Sequence, residues 1–313
     1  MAPTHENLVH LDELPVQERA AGDIAVELVR LASAAGARMI GATRYVVAPS
    51  MRMMPAHVHS DEEEIFFVLA GDGLLWQDGC TYAVRAGDII VHRIQEEAHT
   101  LIAGPGGLTV LAFGEGSLTN LTYLPRPQAW WLGTRWLPAE GPDPFALELA
   151  LGPLELPAAP EDGRPPNVVN VKDVPPRRKQ RRGYDITDRD LGRAAGSVRS
   201  GLRHDILAPG TRSCPPHWHT GEEELFYVLE GDGEAVLDDA RLPIRPGSVL
   251  VRPPGSRVAH SLLAGEHGLT YLTYGTRVPS DICFYPRSGK VNIGRMTFRL
   301  SPTDYWEGEE DGA

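Results

Sequence analysis

The sequence predicts an all-β protein built from two copies of one sandwich or barrel. The chain has 313 residues and contains 33 glycines and 27 prolines, a turn-rich composition that suits many short strands better than long helices. Its length exceeds a single small core and fits two domains of ordinary size. Short β-branched and aromatic runs recur between glycine turns, which is typical of sandwiches and barrels.

The two halves of the chain repeat the same motifs at a nearly constant offset. Residues 7–15 match residues 167–175 at an offset of 160. One residue is then added in the second copy, so that His99 matches His260 at an offset of 161. The repeat predicts an N-terminal domain over residues 1–137, a linker rich in proline and glycine over residues 138–166, and a C-terminal domain over residues 167–313.

The strongest strand signals lie at matching places in the two copies. Residues 64–69 and 224–229 are β-branched and aromatic runs, and each is followed by Gly-Asp-Gly. This punctuation predicts that a hairpin turn ends each strand. Periodicity does not decide whether residues 24–31 form a helix or a strand.

Each half carries two histidines that alternate on a predicted strand. Residues two apart on a strand face the same side, so His217 and His219 point into one interior. Glu224 follows after a short turn, and His260 lies on a later strand. Three imidazoles and one carboxylate leave open positions on an octahedral ion and suit Fe(II), Mn(II), Ni(II), Cu(II) or Zn(II). The first half supplies the matching set: His57, His59, Glu64 and His99.

These motifs resemble those of the cupin superfamily. The first cupin motif has His-x-His, then Glu after four residues and Gly after six more, as in residues 57–71 and 217–231. The second has Gly, five residues, Pro-x-Gly and then His, which is similar to residues 247–260 with two more residues before the His. The resemblance covers nearly the whole chain and implies two tandem jelly-roll barrels, as in bacterial bicupins and, more distantly, quercetin-type dioxygenases.

The two copies differ in the turn that precedes the last histidine. The second half has Pro253-Pro-Gly255, whereas the first half has Arg93-Ile-Gln95. Proline restricts the backbone and glycine allows a bend that other residues resist. We therefore expect His99 to reach its ion less well than His260, and the second site to bind metal more tightly and to carry the chemistry.

Further residues near the motifs are candidates for substrate contacts. Alternation from the ligand glutamates turns Phe66, Phe226 and Val228 inward, where apolar walls suit an organic substrate. Arg44 and His204 occupy matching positions before the first motif and could either line the pocket or be exposed. Most of the glutamates that flank the ligand glutamates are expected to be solvated turn residues, and a slip of the ligand by one position stays open. These four are Glu62, Glu63, Glu222 and Glu223.

Three classes of function remain open for such a site. The apolar wall favours a dioxygenase that uses Fe(II), or alternatively Mn(II), with up to two ions per chain and a small, partly apolar organic substrate. The second class is non-redox metal catalysis by an isomerase, cyclase, decarboxylase or aminohydrolase. The third is a non-catalytic binder of a sugar or metabolite. No cluster of Lys or Arg is evident around the ligands, which argues against sugar phosphates.

Composition also limits the partners. The net charge of −12 argues against nucleic acid, and no segment is apolar enough to predict a membrane span. Three scattered cysteines and a polar N-terminal segment predict a reducing, cytoplasmic location. Open sheet edges are usually covered, so residues 7–15 and 285–300 are expected to pair across a homodimer or between the two halves.

Overall fold

A computed structural model describes residues 5–117, 119–132, 135–137, 144–161, 163–294 and 296–309. Strands make up 54% and helices 8% of the structure, so the prediction of an all-β protein is confirmed. No helix within the described ranges is long and apolar enough to cross a membrane.

The first half is a series of strands interrupted by one short helix. Its elements are β1 (Leu8–His10), β2 (Gln17–Ala21), β3 (Ile24–Arg30), α1 (Leu31–Ala34), β4 (Ile40–Val47), β5 (Val58–His59), β6 (Glu64–Gln77), β7 (Cys80–Arg85), β8 (Asp88–His92), β9 (His99–Glu115), β10 (Leu121–Leu124), β11 (Ala129–Leu132) and β12 (Arg135–Leu137). The undecided segment at residues 24–31 is thus mainly strand β3.

The second half repeats this order after a helix in the linker, α2 (Pro144–Ala150). Its elements are β13 (Val168–Asn170), β14 (Arg177–Arg181), β15 (Tyr184–Asp190), α3 (Leu191–Ala194), β16 (Ser200–Leu207), β17 (Trp218–His219), β18 (Glu224–Leu237), β19 (Ala240–Ile244), β20 (Ser248–Arg252), β21 (His260–Thr276), β22 (Ile282–Tyr285), β23 (Lys290–Ile293) and β24 (Met296–Arg299).

Each half consists of an eight-stranded sheet and a smaller four-stranded sheet, both antiparallel in the pairs that form them. In the first half the larger sheet has the order β13-β8-β6-β9-β4-β3-β2, with β7 on β6, and the smaller one has the order β12-β11-β10-β5. The second half has the same order, with β1 in the place of β13. The two long strands of each larger sheet, β6 with β9 and β18 with β21, carry the ligand glutamate and the last histidine.

The two halves exchange their first strands. Leu8 in β1 pairs with Leu250 in β20, and Val168 in β13 pairs with Ile90 in β8. Each exchanged strand covers a sheet edge of the other half, which removes an unpaired row of backbone groups. Segment 7–15 therefore pairs between the halves, and the homodimer stays a prediction.

The halves also share a hydrophobic core, in which the rings of Phe113 and Tyr274 stack 5.0 Å apart. Two glutamates that were expected to be solvated cross this interface and are buried. Glu63 accepts hydrogen bonds from the backbone and hydroxyl groups of residues 197–200. Glu223 accepts them from the backbone N–H groups of residues 38–40. A buried carboxylate is stable only when hydrogen-bond donors surround it. No sequence pattern predicted these donors.

The Gly-Asp-Gly segments do not form hairpin turns, so that prediction is wrong. β6 and β18 run straight through them, and the strand register shifts there by a bulge. Gly71 has a φ of 83°, and a β-carbon on Gly73 would collide with the carbonyl oxygen of Ile102. Glycine is needed because the bent strand passes close to its neighbour.

Candidate metal centres

Backbone pairing brings the four predicted ligands of the first half together. His57 and His99 exchange two hydrogen bonds, with N···O distances of 3.1 and 2.9 Å. His59 lies at the end of β5, and Glu64 begins β6. The Nε2 atoms of His57, His59 and His99 consequently lie 3.6, 3.6 and 3.0 Å from Oε2 of Glu64.

The second half repeats this arrangement. His217 and His260 exchange two backbone hydrogen bonds of 3.3 and 2.8 Å. The Nε2 atoms of His217, His219 and His260 lie 4.0, 3.6 and 2.8 Å from Oε2 of Glu224. Each of the two predicted ligand sets therefore converges on one point.

The ligand carboxylates are ionised because imidazoles surround them. Burial alone would raise the pKa of Glu64 and Glu224, but the three neighbouring histidines outweigh this effect and hold both pKa values well below the usual range. Burial lowers the pKa of His99 and of His260 to about 4. Burial would also lower the pKa of His217, but Cys214 and Glu224 raise it to about 9, so this imidazole must lose a proton when a metal binds. A neutral imidazole and an ionised carboxylate are the forms that bind a metal ion.

The donor atoms fit a divalent transition metal. Nε2 of His59 is buried and has no hydrogen-bond partner. Nδ1 of His57, His99 and His217 each lies 2.9 to 3.0 Å from a backbone carbonyl oxygen. A ring that donates its Nδ1–H to a carbonyl keeps the Nε2 lone pair free for a metal.

The turn before the last histidine makes the same hydrogen bond in both halves. The backbone N–H of Gln95 donates to His59 O (2.9 Å), and that of Gly255 donates to His219 O (2.8 Å). Gln95 adopts a φ of 57° where Gly255 has 67°, a conformation that costs a non-glycine residue roughly 1–2 kcal/mol. The different turn sequence therefore does not move His99 out of the cluster.

The partner of the second histidine does differ between the halves. In the second half, Nδ1 of His219 lies 2.6 Å from Oδ2 of Asp281. The other oxygen of Asp281 accepts the backbone N–H of Gly221 (2.8 Å). Although burial would raise it, these donors lower the pKa of Asp281 to about 2. The carboxylate accepts the Nδ1 proton and leaves Nε2 of His219 free for the metal.

Asn120 stands at the matching position of the first half. Its Oδ1 accepts the backbone N–H groups of Ser60 and Asp61, so its amide nitrogen faces Nδ1 of His59 at 2.9 Å. An N–H donor at this place favours the imidazole form with the proton on Nε2, the atom that would bind metal. The hydroxyl of Thr122, 3.2 Å from Nδ1, is the acceptor that the metal-binding form would use.

The predicted apolar wall lies beside the clusters. The ring of Phe66 is 5.6 Å from that of His99, and the ring of Phe226 is 5.6 Å from that of His260. Val228 is buried in the same core cluster as Phe226. These three residues supply apolar surface inside the barrels.

Arg44 and His204 lie on the opposite face, so their expected place in the pocket is corrected. In β4, Tyr45 packs on the core of the first barrel, whereas Ala42 belongs to the core between the halves. Arg44 shares the face of Ala42, because side chains alternate along a strand. His204 shares the face of Leu202, which also belongs to the core between the halves.

The neighbours of these two residues provide the inward side chains that the sequence interpretation missed. Arg203 pairs with Thr273, the strand partner of Phe226, and Asp205 pairs with Tyr271, the partner of Val228. Thr273 Oγ1 donates to Asp205 Oδ2 (2.7 Å), while Oδ1 of Asp205 is buried without a partner. Burial raises the pKa of Asp205.

Arg203 places a positive charge on the inward face of β16, where its side chain is 43% exposed and its Nε lies 4.0 Å from Oδ2 of Asp205. Burial would lower its pKa, but the carboxylates of Asp205 and Glu224 raise it. The sequence predicts no cluster of Lys or Arg around the ligands, and Arg203 is a single basic side chain that the strand alternation had assigned to the other face. The sequence interpretation assigned residue 204 rather than residue 203 to the pocket. A shift of one residue along a strand turns every side chain to the opposite face. In the first half, the positions that correspond to Arg203, Asp205, Tyr271 and Thr273 hold side chains that carry no charge. These are Thr43, Tyr45, Val110 and Ala112.

Cysteine and tyrosine side chains surround the second cluster. Cys283 Sγ lies within 4.8 Å of a ring nitrogen of both His217 and His219. The ring of Tyr285 stacks on that of His217 at 5.6 Å. Cys214 Sγ is 3.6 Å from Nδ1 of His217, so it contacts the back of the ring rather than the atom that faces Glu224.

Comparison with known proteins identifies both halves. Residues 43–106 and 203–268 each match the cupin domain family Cupin_2. Protein SchB of Streptomyces halstedii is 36% identical over 90 residues, which cover 29% of this chain and 63% of that protein. Polyketide synthase CurC of Streptomyces cyaneus is 35% identical over 88 residues, which cover 28% and 55%. The match spans less than two thirds of either relative.

Solved structures with the same fold include oxalate decarboxylases. A variant of Bacillus subtilis oxalate decarboxylase OxdC has a TM-score of 0.61 and 15% identity, over 90% of this chain and 80% of that chain. The formate complex of Lactobacillus farciminis oxalate decarboxylase has a TM-score of 0.60 and 17% identity, over 90% and 89%. Identities this low support the fold alone. Because the cupin domain family matches one segment in each half, this chain contains two cupin domains, the arrangement of a bicupin.

Proposed function

We propose that this protein is a metal-dependent dioxygenase that acts on a small, partly apolar organic substrate, and that the second cluster is its catalytic site. One observation carries the proposal. The second barrel combines a complete set of three histidines and one glutamate with an apolar wall at Phe226 and a cationic group at Arg203. The four positions of the first barrel that correspond to Arg203 and its strand neighbours carry no charged side chain.

The protein side chains around the cluster have separate tasks in this proposal. Phe226 and Val228 pack against the apolar part of the substrate and exclude water. Arg203 binds an anionic oxygen of the substrate and orients it toward the cluster. Asp281 holds His219 in its metal-binding form. A bound Fe(II) or Mn(II) ion would supply redox chemistry and the open coordination positions of the site.

The relatives support the type of substrate. One of them is named Polyketide synthase CurC, and polyketides combine apolar carbon with enol or acid oxygens. A phenolic or enolic acid of this kind matches a pocket that has both Phe226 and Arg203. The substrate class is accordingly proposed to be a phenolic or enolic organic acid.

Oxygen consumption by metal-reconstituted protein tests the proposal. The chain is freed of metal with a chelator, loaded anaerobically with Fe(II), Mn(II) or Zn(II), and mixed with a panel of phenolic acids in an oxygen electrode. We expect substrate-dependent oxygen uptake with Fe(II) or Mn(II), none with Zn(II), and none in the double variant His217→Ala, His219→Ala. Turnover that proceeds equally without oxygen would contradict the dioxygenase.

Decarboxylation of a small acid is the second candidate. It is favoured by Arg203, which suits a carboxylate, and by the fold shared with oxalate decarboxylases, one of them studied for its Mn(II) centres. The same assays distinguish it, because carbon dioxide would be released without net oxygen uptake. Binding of acids without any product would instead favour a metabolite binder.

A further inference from the structure

The linker helix places a buried carboxylate against the first barrel. Glu148 in α2 is fully buried, and its Oε1 accepts hydrogen bonds from Arg52 Nη1 and Arg126 Nη1, both at 2.6 Å. Arg126 also donates to backbone carbonyl oxygens just after α2. Leu149 packs on Gly22 so closely that a β-carbon there would collide with it. The first half thus fills this groove with its own chain.

The matching groove of the second half is open. It forms a cavity of about 660 Å³, which we call the arginine pocket. Its walls include three basic and two aromatic side chains: Arg182, Tyr184, Tyr285, Arg287 and Lys290. Arg287 corresponds to Arg126, at an offset of 161. It has no hydrogen bond or ion pair with any residue that the structure describes.

The counterpart of Arg52 also lacks an acid. Arg212 pairs with Leu263 as Arg52 pairs with Ile102, so the two arginines hold the same place in the fold. Arg212 donates to Ser261 Oγ at 2.6 Å and has no carboxylate partner in the described ranges. Both arginines of the Glu148 site therefore recur in the second half, while the carboxylate between them does not.

The chain after β24 contains an aromatic residue and a glutamate at the same sequence offset as the other matched residues of the two halves. The offset of 161 relates β10 to β22 and β11 to β23 without change. The same offset relates Phe145 to Trp306 and Glu148 to Glu309. We call residues 301–309 the acidic segment. Trp306 is 62% exposed, and in this structure the segment lies outside the arginine pocket.

We propose that the arginine pocket is a carboxylate-binding site and that its ligand is Glu309 of the acidic segment. Docking would place Glu309 against Arg287, as Glu148 lies against Arg126. Arg212 does not line the pocket and would have to turn from Ser261 to complete the clamp. It would bring Trp306 onto the apolar surface at the pocket. Because Tyr285 both lines the pocket and stacks on His217, the docked segment covers one side of the second metal cluster.

Reach and charge both support this ligand. The backbone N–H of Leu300 donates to Gly289 O (3.4 Å), so the acidic segment begins beside the pocket residues Ser288 and Lys290. Nine residues span at most roughly 30 Å when extended, which is ample for Glu309 to return. The segment carries Asp304, Glu307 and Glu309 but no basic residue, and three cations line the pocket.

The docked state should be weaker than that of α2 and therefore reversible. Leu147 of α2 corresponds to Gly308, and Ala146 corresponds to Glu307. Glycine costs about 1 kcal/mol in a helix relative to alanine, and one apolar contact is lost. The acidic segment thus acts as a latch: when the segment is undocked, the second barrel is accessible. In the first half, by contrast, α2 keeps the groove filled.

The full-length protein tests this latch by the exposure of Trp306, independently of any metal or catalytic activity. Acrylamide quenching assigned to Trp306 by subtraction of a Trp306→Phe variant, and hydrogen exchange of residues 301–309, are measured in the wild type and three variants. Glu309→Gln and Arg287→Gln should each increase quenching and exchange several-fold. Glu307→Gln removes the same charge at a position that corresponds to Ala146, and it should behave as the wild type.

Small carboxylates and dilution identify the source of the ligand. Acetate should release Trp306 from the wild type more than chloride does at equal ionic strength, and it should not affect Glu309→Gln. Equal quenching and exchange in all four proteins would overturn the proposal. Phenylglyoxal modifies free arginine, and acetate bound at Arg287 should slow this modification. If acetate protects Arg287 equally in the wild type and in Glu309→Gln, the proposal is also overturned. Release of Trp306 on dilution would show that the segment docks on a second copy, and would overturn docking within one chain.

Discussion

The two barrels hold the same ligands in nearly the same geometry, yet the surroundings of the ligands differ. In both, Glu Oε2 lies within 3.0 Å of the last histidine. In the part of the chain that the structure describes, Nδ1 of the second histidine faces a carboxylate, Asp281, in the second half and an amide, Asn120, in the first. The wall position that holds Arg203 in the second half holds Thr43 in the first. The backbone register of the strands brings the donors together in both halves, whereas the side-chain partner of the second histidine differs between them.

Loss of ligands should separate the halves most strongly. The double change His217→Ala and His219→Ala should abolish most activity and leave one weakly held ion per chain, while His57→Ala with His59→Ala should reduce activity less. The loss of affinity should exceed the roughly 10- to 100-fold effect of losing one hydrogen-bonded partner behind a ligand. Elemental analysis and steady-state rates measure both effects. If the His57 and His59 variant is the inactive one, the assignment of the catalytic half is wrong.

The carboxylates that cross between the halves should make unequal contributions to stability. Glu63→Gln should lower the free energy of unfolding by about 2–3 kcal/mol, because both of its oxygens accept hydrogen bonds and an amide can replace only one. Glu223→Gln should cost about 1–2 kcal/mol, because most of its donors converge on Oε2 and the amide oxygen can stay there. Urea unfolding of the two variants at pH 7 measures the difference.

The effect of Glu63 should also depend on pH. Burial would raise the pKa of Glu63, but hydrogen bonds from Ser197, Val198 and Ser200 lower it below its usual value. A depressed folded-state pKa stabilises the protein above the unfolded pKa of about 4.3, and the contribution disappears as the pH falls through the folded pKa. The difference between wild type and Glu63→Gln should therefore shrink below pH 4. A difference that grows with acid would contradict this sign.

A reciprocal exchange behind the second histidine tests why the two sites differ. Asp281→Asn should weaken metal binding at the second cluster by about 10- to 100-fold, because the amide no longer fixes the proton of His219 on Nδ1. Asn120→Asp should strengthen the first cluster. Competition with a chelator, combined with Mn(II) resonance spectra, measures the two affinities separately. If the two clusters of the wild type bind metal with equal affinity, the residue behind the second histidine does not explain a difference between them.

Arg203 should have the smallest of these effects, confined to one substrate group. Arg203→Gln should lower kcat/KM for an acidic substrate by roughly 10-fold. A hydrogen bond to a charged group is worth about 1.5–3 kcal/mol, and the 43% exposure of Arg203 favours the lower end of that range. Uncharged analogues should lose much less. Thr43→Ala, at the matching place of the first barrel, is the control and should leave the rates unchanged. A similar loss for charged and uncharged substrates would indicate a structural role instead.

Much of the architecture could be predicted from the sequence, because duplication and strand alternation are local or periodic signals. The constant offset predicted two similar all-β halves, and the spacing of His57 and His59 placed both rings on one face of a strand. The residues of both clusters were therefore predicted from residue type and spacing, and the structure brings each set together. Inward positions at Phe66 and Phe226 followed from the same alternation.

Only the tertiary structure decided which groups stand behind and beside those ligands. The pairing of Asp281 with His219, the burial of Glu63 in the other half and the clamp around Glu148 join residues that are 62, 134 and 96 positions apart. The face of β16 that carries Arg203 depended on a register that one residue can reverse. Such contacts have no local signature, because burial and hydrogen bonding between distant strands are properties of the folded chain.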